Sequence, residues 1–182
     1  DGRDLALADP VDVVEVEPAH PALLMFTSGT AGAPRAAILT HGSMQANIDQ
    51  VRSTQEGLRP GDVVYCVIPL FHIFGINVVL GAALHAGATV LLVQRFDPVT
   101  AVESIAARGV TVIPGAPAMW SAFSQLDEIP ADAFAGVRRA YSGAAKLPLS
   151  VSERMRERFG LVVSEGFGLT EASPAVTSSI DI

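Results

Sequence analysis

The sequence predicts an α/β fold in which a largely parallel sheet carries helices on both faces. Short apolar runs alternate with stretches of helical periodicity along most of the chain, and a helical crossover is the usual link between parallel strands. The 182 residues are 49% hydrophobic and 17% charged, which supplies enough apolar side chains for one buried core. These observations favour a single sheet that is covered on both faces.

The predicted strands and helices follow one another in regular order. The strands are placed at residues 22–27, 62–68, 88–93, 110–113, 137–142 and 161–164. The helices are placed at residues 41–53, 73–85, 98–108, 117–126 and 151–159. Each helix follows a strand, which is the order expected of repeated β-α-β units.

Two helices have well-marked ends. Asp97 is predicted to cap the start of the helix at 98–108, and Gly109 lies just beyond its end. Ser150 and Glu153 have the spacing of a capping box at the start of the last helix, and Gly160 is predicted to end that helix. These signals indicate that both helices have a structural role and give no sign of a catalytic or binding role.

Residues 1–19 form an acidic lead-in segment, in which "VVEVE" could be a short edge strand. Six acidic residues against Arg3 give this segment a charge of −5, and the whole chain has a formal charge of −7. The remaining body is therefore close to neutral, at −2. Such a charge argues against binding to a nucleic-acid backbone.

Cysteine and histidine usage favours a reducing, cytoplasmic location without a structural metal. Cys66 is the only cysteine, so an internal disulfide is impossible, and the scattered histidines give no zinc spacing. No basic-then-apolar signal peptide is recognised at the start. Residues 73–93 carry no formal charge and would be long enough to cross a bilayer as one helix. A buried helix that ends near Gly87, followed by a short strand, explains them better, so no transmembrane segment is expected.

A loop rich in glycine and hydroxyl groups follows the first predicted strand. Its glycines let the main chain approach a ligand closely, and its backbone N–H groups and hydroxyls suit a polyphosphate. The cation of Arg35 lies at the rim. The pattern differs from the common phosphate loop G-x-x-x-x-G-K-[ST], and an ordinary glycine-rich turn is the alternative. The predicted phosphate-binding residues are Thr27, Ser28, Gly29, Thr30, Gly32 and Arg35.

Three stretches resemble, in the right order, motifs of the adenylate-forming (AMP-binding) superfamily, which includes the acyl-CoA synthetases. They are "FTSGTAGAPRAAILTH", "SGAAKLP" at 142–148 and "EGFGLTEASP" at 165–174. The resemblance implies that residues 20–182 are part of the large N-terminal domain of such an enzyme. It also implies that the glycine-rich loop holds the β- and γ-phosphates of ATP, with Arg35 in place of the family's Lys.

The other two motifs are implied to bind the rest of the nucleotide. The adenine segment would contain Gly143, Ala144 and Ala145, and the last motif would place Gly166, Phe167 and Gly168 beside the base. Phe167 stands where the family commonly has Tyr, so it could stack on adenine but could not donate a hydrogen bond. Thr170 would reach the α-phosphate, and Glu171 would bind Mg²⁺, a hard cation that prefers oxygen ligands.

The stretch "PLFHIFG" resembles the acyl pocket of acyl-CoA synthetases, which would place His72 between the two half-reactions. A core histidine satisfied by one hydrogen bond is the alternative. Met119 and Trp120 are candidates for the pocket wall, although core packing explains them equally well. No Asp lies between Pro69 and Gly81 to meet a substrate amine, so a carboxylic acid without an amino group, such as a fatty acid, is favoured.

The implied activity is ATP-dependent formation of an acyl-adenylate, followed by thioester formation with coenzyme A. An adenylating enzyme that loads an acyl carrier protein and a non-catalytic nucleotide-binding module are the alternatives. The family's ribose-binding Asp and its C-terminal domain with the catalytic Lys are not found in this sequence, so the 182 residues alone are expected to be inactive. Self-association as a homodimer is expected, because a cut sheet leaves an exposed edge.

Overall fold

The computed structural model describes residue 9 and residues 11–27, 35–53 and 57–179. In chain order the elements are β1 (Pro21–Thr27), β2 (Arg35–Thr40), α1 (His41–Arg52), β3 (Val63–Cys66), α2 (π-helical over Phe74–Gly81 and α-helical over Ala82–Ala86), β4 (Thr89–Leu92), α3 (Pro98–Ala107), β5 (Val112–Gly115), α4 (Pro117–Ser124), β6 (Arg139–Ser142), α5 (Leu149–Phe159), β7 (Val163–Gly168), a 3₁₀ turn (Thr170–Ala172) and β8 (Ala175–Ser178). The predicted loop residues Ser28, Gly29, Thr30 and Gly32 lie outside the described residues.

The main sheet has six strands in the order β4-β3-β5-β6-β7-β8. Its first five strands pair in parallel, which confirms the predicted largely parallel sheet. The sixth strand, β8, runs antiparallel to β7 and was not predicted. It is only four residues long and directly follows Pro174, so its pattern is too short to be recognised as a strand.

Residues 22–27 form a strand as predicted, but this strand does not join the main sheet, which corrects its predicted place in the fold. It pairs antiparallel with β2 in a separate two-stranded sheet, with Thr27 opposite Arg35. The prediction took the chain after the glycine-rich loop as leading toward a helix and missed β2. The reason is that "RAAILT" combines helix-favouring alanines with a run of only six residues.

Alternating side chains of the parallel strands pack against helices on opposite faces. Tyr65 and Ile113 belong to the larger core, to which α3, α4 and α5 contribute. Val64 and Val112, their neighbours in the sequence, belong to a second core with α2. The prediction of helices on both faces is therefore confirmed.

Most of the predicted helix ends are confirmed. The Asp97 carboxylate accepts a hydrogen bond from the N–H of Thr100 at 2.9 Å, and Gly160 ends α5 with a φ of 63°. The capping box of Ser150 with Glu153 is wrong. Pro148 is the last extended residue before α5, so the helix already begins at Leu149 and Ser150 falls inside its first turn.

Residues 73–93 form a helix followed by a strand, as predicted, and Gly87 has the left-handed φ of 69° at the junction. Among the described residues, no helix combines the length and hydropathy needed to cross a membrane. The stretch "VVEVE" in the lead-in segment is exposed and forms no strand.

A buried carboxylate joins the amino ends of the central strands. Asp62, just before β3, is 4% exposed and accepts hydrogen bonds from the Thr111 hydroxyl at 2.8 Å and from Nε of Arg138 at 2.7 Å. The backbone N–H of Arg59 is a further donor, at 2.7 Å. Burial by itself raises the pKa of Asp62, but these hydrogen bonds outweigh it and lower the pKa to about 2.

We expect this carboxylate to make stability depend on pH. The pKa of Asp62 is lower in the folded protein than its ordinary value of 3.8, so its stabilisation is fully present above that value and is lost as the pH falls through about 2. The shift corresponds to roughly 2 kcal/mol. Urea unfolding of Asp62→Asn should therefore show a lower free energy of unfolding at neutral pH and a weaker dependence on acid than the parent protein.

The exposed Asp127 supplies the control. Its side chain is 97% exposed and lies 3.9 Å from Arg158, so Asp127→Asn should change the free energy of unfolding by less than about 0.5 kcal/mol. Equal acid dependence in Asp62→Asn and the parent protein would contradict the role of Asp62.

Candidate active site

A cavity of about 200 Å³ lies where β6 and β7 end and α2 begins. In an α/β sheet, ligands commonly bind beyond the carboxyl ends of the parallel strands. Seven of the predicted site residues line this cavity: His72, Gly143, Ala144, Gly166, Phe167, Gly168 and Thr170. Ala145 lines an adjoining groove that shares Ala144 and Phe167 with the cavity. The structure therefore brings the predicted adenine segment, the last motif and His72 together.

His72 lies on the surface, just before α2. Its side chain is exposed, and Nδ1 accepts a hydrogen bond from the N–H of Phe74 at 3.1 Å. A ring nitrogen that accepts is unprotonated, so in the neutral ring the proton is on Nε2. The alternative of a buried core histidine is wrong, although the ring does have one hydrogen bond.

The two candidate wall residues on α4 belong to the core instead. Met119 and Trp120 are buried among α3, α4 and α5, on the opposite face of the sheet from α2. The apolar wall of the cavity comes from Phe74 and Val78 of α2 and from Val51 of α1.

The predicted adenine segment follows β6 and is held by a residue of β7. A carboxylate oxygen of Glu165 accepts a hydrogen bond from the N–H of Leu147 at 2.7 Å. At the start of the segment, a Cβ on Gly143 would lie 3.1 Å from the Phe74 ring, so this position favours glycine. Ala144 takes a left-handed φ of 72°. No role was predicted for Glu165, although it lies inside a recognised motif.

The last motif turns sharply after β7. A Cβ on Gly168 would lie 2.5 Å from the carbonyl oxygen of Pro174, and the N–H of Leu169 donates to that same oxygen at 3.0 Å. The turn presents Thr170 toward the cavity and leaves Glu171 exposed. Phe167 is 60% exposed at the rim, where its ring offers a flat apolar surface.

Two buried amides fasten this turn and were missed by the sequence analysis. Asn47 of α1 bonds both the N–H and the carbonyl of Ala175. Asn77 of α2 donates to the carbonyl of Ser173 at 2.6 Å. A usable signal was present for Asn77, because an amide within the apolar run "FGINVVL" needs a hydrogen-bond partner when it is buried.

The stem of the predicted phosphate loop lies on the β1–β2 hairpin. Thr27 is half-buried and Arg35 is exposed, and neither lines the described cavity. Strand β2 nevertheless lies against the 3₁₀ turn, with Cα atoms within 8 Å. The strand that leaves the loop therefore approaches the turn that carries Thr170 and Glu171.

The residues present suit a magnesium ion that is shared with a nucleotide. Within the described ranges, no cluster of three or more His, Cys, Asp or Glu side chains could hold a metal by itself. Mg²⁺ is commonly held by one or two carboxylates together with substrate phosphates and waters. The exposed carboxylate of Glu171, which forms no ion pair with other described residues, fits that chemistry.

The fold and the site define an α/β protein with a cleft at the carboxyl edge of its parallel sheet. The model of the AMP-binding enzyme family matches residues 2–182, and the chain belongs to that family. This match confirms the resemblance that the three motifs indicated.

Two relatives that the chain resembles in sequence are named as CoA ligases. The 4-coumarate–CoA ligase 1 of Oryza sativa subsp. japonica is 30% identical over 97% of the chain. The long-chain-fatty-acid–CoA ligase of Bacillus subtilis (strain 168) is 30% identical over 89% of it. The chain spans less than a third of these relatives, 31% and 29% of their lengths.

Two solved structures share the fold. A malonyl-CoA ligase in a ternary product complex with methylmalonyl-CoA and AMP has a TM-score of 0.85 and 31% identity, covering 93% of this chain and 37% of that one. The O-succinylbenzoate coenzyme A synthetase of Bacillus subtilis, in complex with ATP and magnesium ion, has a TM-score of 0.78 and 27% identity. It covers 96% of this chain and 36% of that one.

We expect the two glycines of the last motif to differ in their tolerance of a methyl group. Gly168→Ala should lower the free energy of unfolding by about 1 to 3 kcal/mol, because its Cβ would overlap the Pro174 carbonyl. Gly166→Ala should cost less, since its Cβ would lie at an ordinary 3.7 Å from the Thr177 carbonyl. Urea unfolding of both variants measures the difference. Equal losses would show that the close approach to Pro174 does not constrain the turn.

Proposed function

We propose that the complete protein activates a carboxylic acid with ATP and transfers the acyl group to the thiol of coenzyme A. A carboxylate oxygen of the acid attacks the α-phosphorus of ATP, and pyrophosphate leaves as the bond to its bridging oxygen breaks. The thiol then loses its proton, its sulfur attacks the acyl carbon, and AMP leaves. The proposal rests on one observation: residues of the adenine segment, Thr170 and His72 line the same cavity.

The chain's own part in the first step is binding and electrostatic stabilisation. The Thr170 hydroxyl would donate to the α-phosphate, and Glu171 would hold Mg²⁺, which neutralises phosphate charge when it is bound. The glycine-rich loop and the Arg35 cation would bind the leaving pyrophosphate. Positioning supplies most of the remaining rate, because this step needs no covalent enzyme intermediate.

Adenine would lie between the backbone of Gly143 to Ala145 and the ring of Phe167. Phe167 is exposed at the rim of the cavity and can stack on the base without a hydrogen bond of its own. The solved relative that contains ATP and magnesium ion supports the use of both by this chain.

The acid would occupy the part of the cavity walled by Phe74, Val78 and Val51. These apolar side chains suit an aromatic or aliphatic tail, and a fatty acid is the proposed class. The relatives named for 4-coumarate and long-chain fatty acids support an acid with an extended apolar body.

His72 would act at the passage from the first half-reaction to the second. Its Nδ1 is engaged by the N–H of Phe74, which leaves Nε2 available to a ligand at the edge of the cavity. The arriving thiol is the group that this nitrogen would contact.

The identity of the acyl acceptor and the catalytic competence of the chain are also part of this proposal. An acyl carrier protein could take the place of coenzyme A as acceptor, and a non-catalytic nucleotide-binding module is the alternative outside the enzymes. Inactivity of the 182 residues alone, their self-association as a homodimer and a cytoplasmic location remain predictions.

Pyrophosphate exchange with the full-length protein tests the adenylation step. We expect exchange that depends on an added acid, measured over acids of varied chain length. Glu171→Gln should lower kcat/KM on the order of 100-fold, because the neutral amide no longer provides a charged oxygen ligand for Mg²⁺. Glu153→Gln, an exposed position on α5, is the matched control and should behave like the parent protein. Binding of ATP without exchange for any acid would favour the non-catalytic module.

The role of His72 is tested by comparing the two half-reactions. His72→Ala should lower thioester formation by about 10- to 100-fold while changing pyrophosphate exchange less, because the thiol takes part only in the second half-reaction. His85→Ala, a change of another histidine on α2, serves as the control. An equal loss in both half-reactions would contradict the proposed position of His72.

A further inference from the structure

The two asparagines of the sequence point their amides at the same short segment. Asn47 lies on α1 and Asn77 lies on α2, 30 positions apart in the chain. Both are buried, at 3% and 1% exposure. Their shared target is the stretch Ala172–Ala175, which directly follows Glu171.

Asn47 pairs with Ala175 through both ends of its amide. The Nδ2 group donates to the Ala175 carbonyl at 2.9 Å, and Oδ1 accepts from the Ala175 N–H at 3.2 Å. A two-point contact of this kind fixes the orientation of the peptide as well as its distance. The backbone that leaves the Glu171 turn is therefore held in one position against α1.

Asn77 links three elements at once. Its Nδ2 group donates to the carbonyl of Ser173 at 2.6 Å and to the carbonyl of Met44 at 3.1 Å. It lies in the π-helical part of α2, a geometry that often occurs at functional sites. The amide therefore ties the turn to α1 and to the helix that begins just after His72.

A serine contact extends the link to the phosphate-loop hairpin. The hydroxyl of Ser173 donates to the hydroxyl of Ser43 at 3.1 Å, and Ser43 shares a reciprocal capping box with Thr40. Thr40 is the last residue of β2, the strand that begins at Arg35. Strand β2 and the turn that carries Glu171 are thus connected through the start of α1.

We propose that Asn47 and Asn77 are positioning residues that hold the Thr170–Glu171 turn in a fixed position relative to the β1–β2 hairpin and to His72. The inference rests on the proposed function for its consequence in catalysis. Neither side chain touches the nucleotide; each acts through the backbone of Ser173 or Ala175. Their neutral amides supply a donor and an acceptor without adding charge beside a polyphosphate site.

Hydrogen exchange on the ligand-free protein tests the positioning itself. Asn47→Ala and Asn77→Ala should each speed amide exchange across residues 169–177 by about tenfold or more, because the turn loses its partners. Peptides from β5 and β6 serve as the internal reference and should change less. Gln45→Ala, an exposed position on α1 whose amide bonds Asp49, is the control and should leave the turn unchanged.

A second variant separates the hydrogen-bond pattern from packing. Asn47→Asp keeps the shape and the acceptor for the Ala175 N–H but replaces the donor to its carbonyl, so it should also speed exchange across the turn. Uniform acceleration across the whole sheet, or no change at the turn in any asparagine variant, would overturn the positioning role.

The magnesium dependence of the full-length protein tests the consequence. Asn47→Ala should raise the Mg²⁺ concentration for half-maximal pyrophosphate exchange about tenfold, as changes behind a metal ligand commonly do. It should weaken the calorimetric binding of Mg²⁺–ATP by a similar factor and leave the KM of the acid within about twofold. A lower kcat with an unchanged Mg²⁺ requirement would overturn the proposal. A parent protein without pyrophosphate exchange would instead overturn the proposed function, and hydrogen exchange would still decide whether the amides fix the turn.

Discussion

The parallel register of β5, β6 and β7 is the constraint on which the site depends. Gly115 is paired with Ser142, and Ser142 with Glu165, so three strands reach the carboxyl edge of the sheet side by side. Parallel strands deliver every following loop to the same edge. Residues far apart in the sequence therefore meet there without any direct local signal. Glu165 then uses its side chain to hold the loop that follows β6.

The parallel part of the fold could be predicted largely because β3, β4 and β5 come from apolar runs and because the helices between the strands carry recognisable end signals. Asp97 and Gly160 mark helix ends through local hydrogen bonds and backbone conformation, which depend little on the rest of the chain. The β1–β2 hairpin and β8 could not be predicted in the same way. Their short strands take their conformation from the partners with which they pair, and pairing is not visible in a local pattern.

In the candidate site, too, some features could be predicted from local sequence motifs, whereas others depend on tertiary contacts. The motifs indicated which segments would meet, and seven of the predicted site residues line one cavity. The resemblance assigned Gly143 and Gly168 to cofactor binding, but the structure adds a second requirement at each. One lies against the Phe74 ring and the other against the Pro174 carbonyl, contacts within the protein itself. The role of Asn47 could not be predicted, because a polar residue on a largely polar helix gives no local signal that it is buried against another segment.

The two ends of the sheet are fixed by different kinds of side chain, a charged group at the amino ends and neutral amides at the carboxyl ends. At the amino ends, a buried carboxylate is compensated by Arg138 and further donors, so the charge is satisfied within the scaffold. At the carboxyl ends, neutral amides hold the turn that carries Glu171. A carboxylate at position 47 could accept from the Ala175 N–H but could not donate to the Ala175 carbonyl, and an ammonium could donate but not accept. The neutral amide does both without placing an unpaired charge in a buried position, which makes it well suited to fix the backbone of this turn.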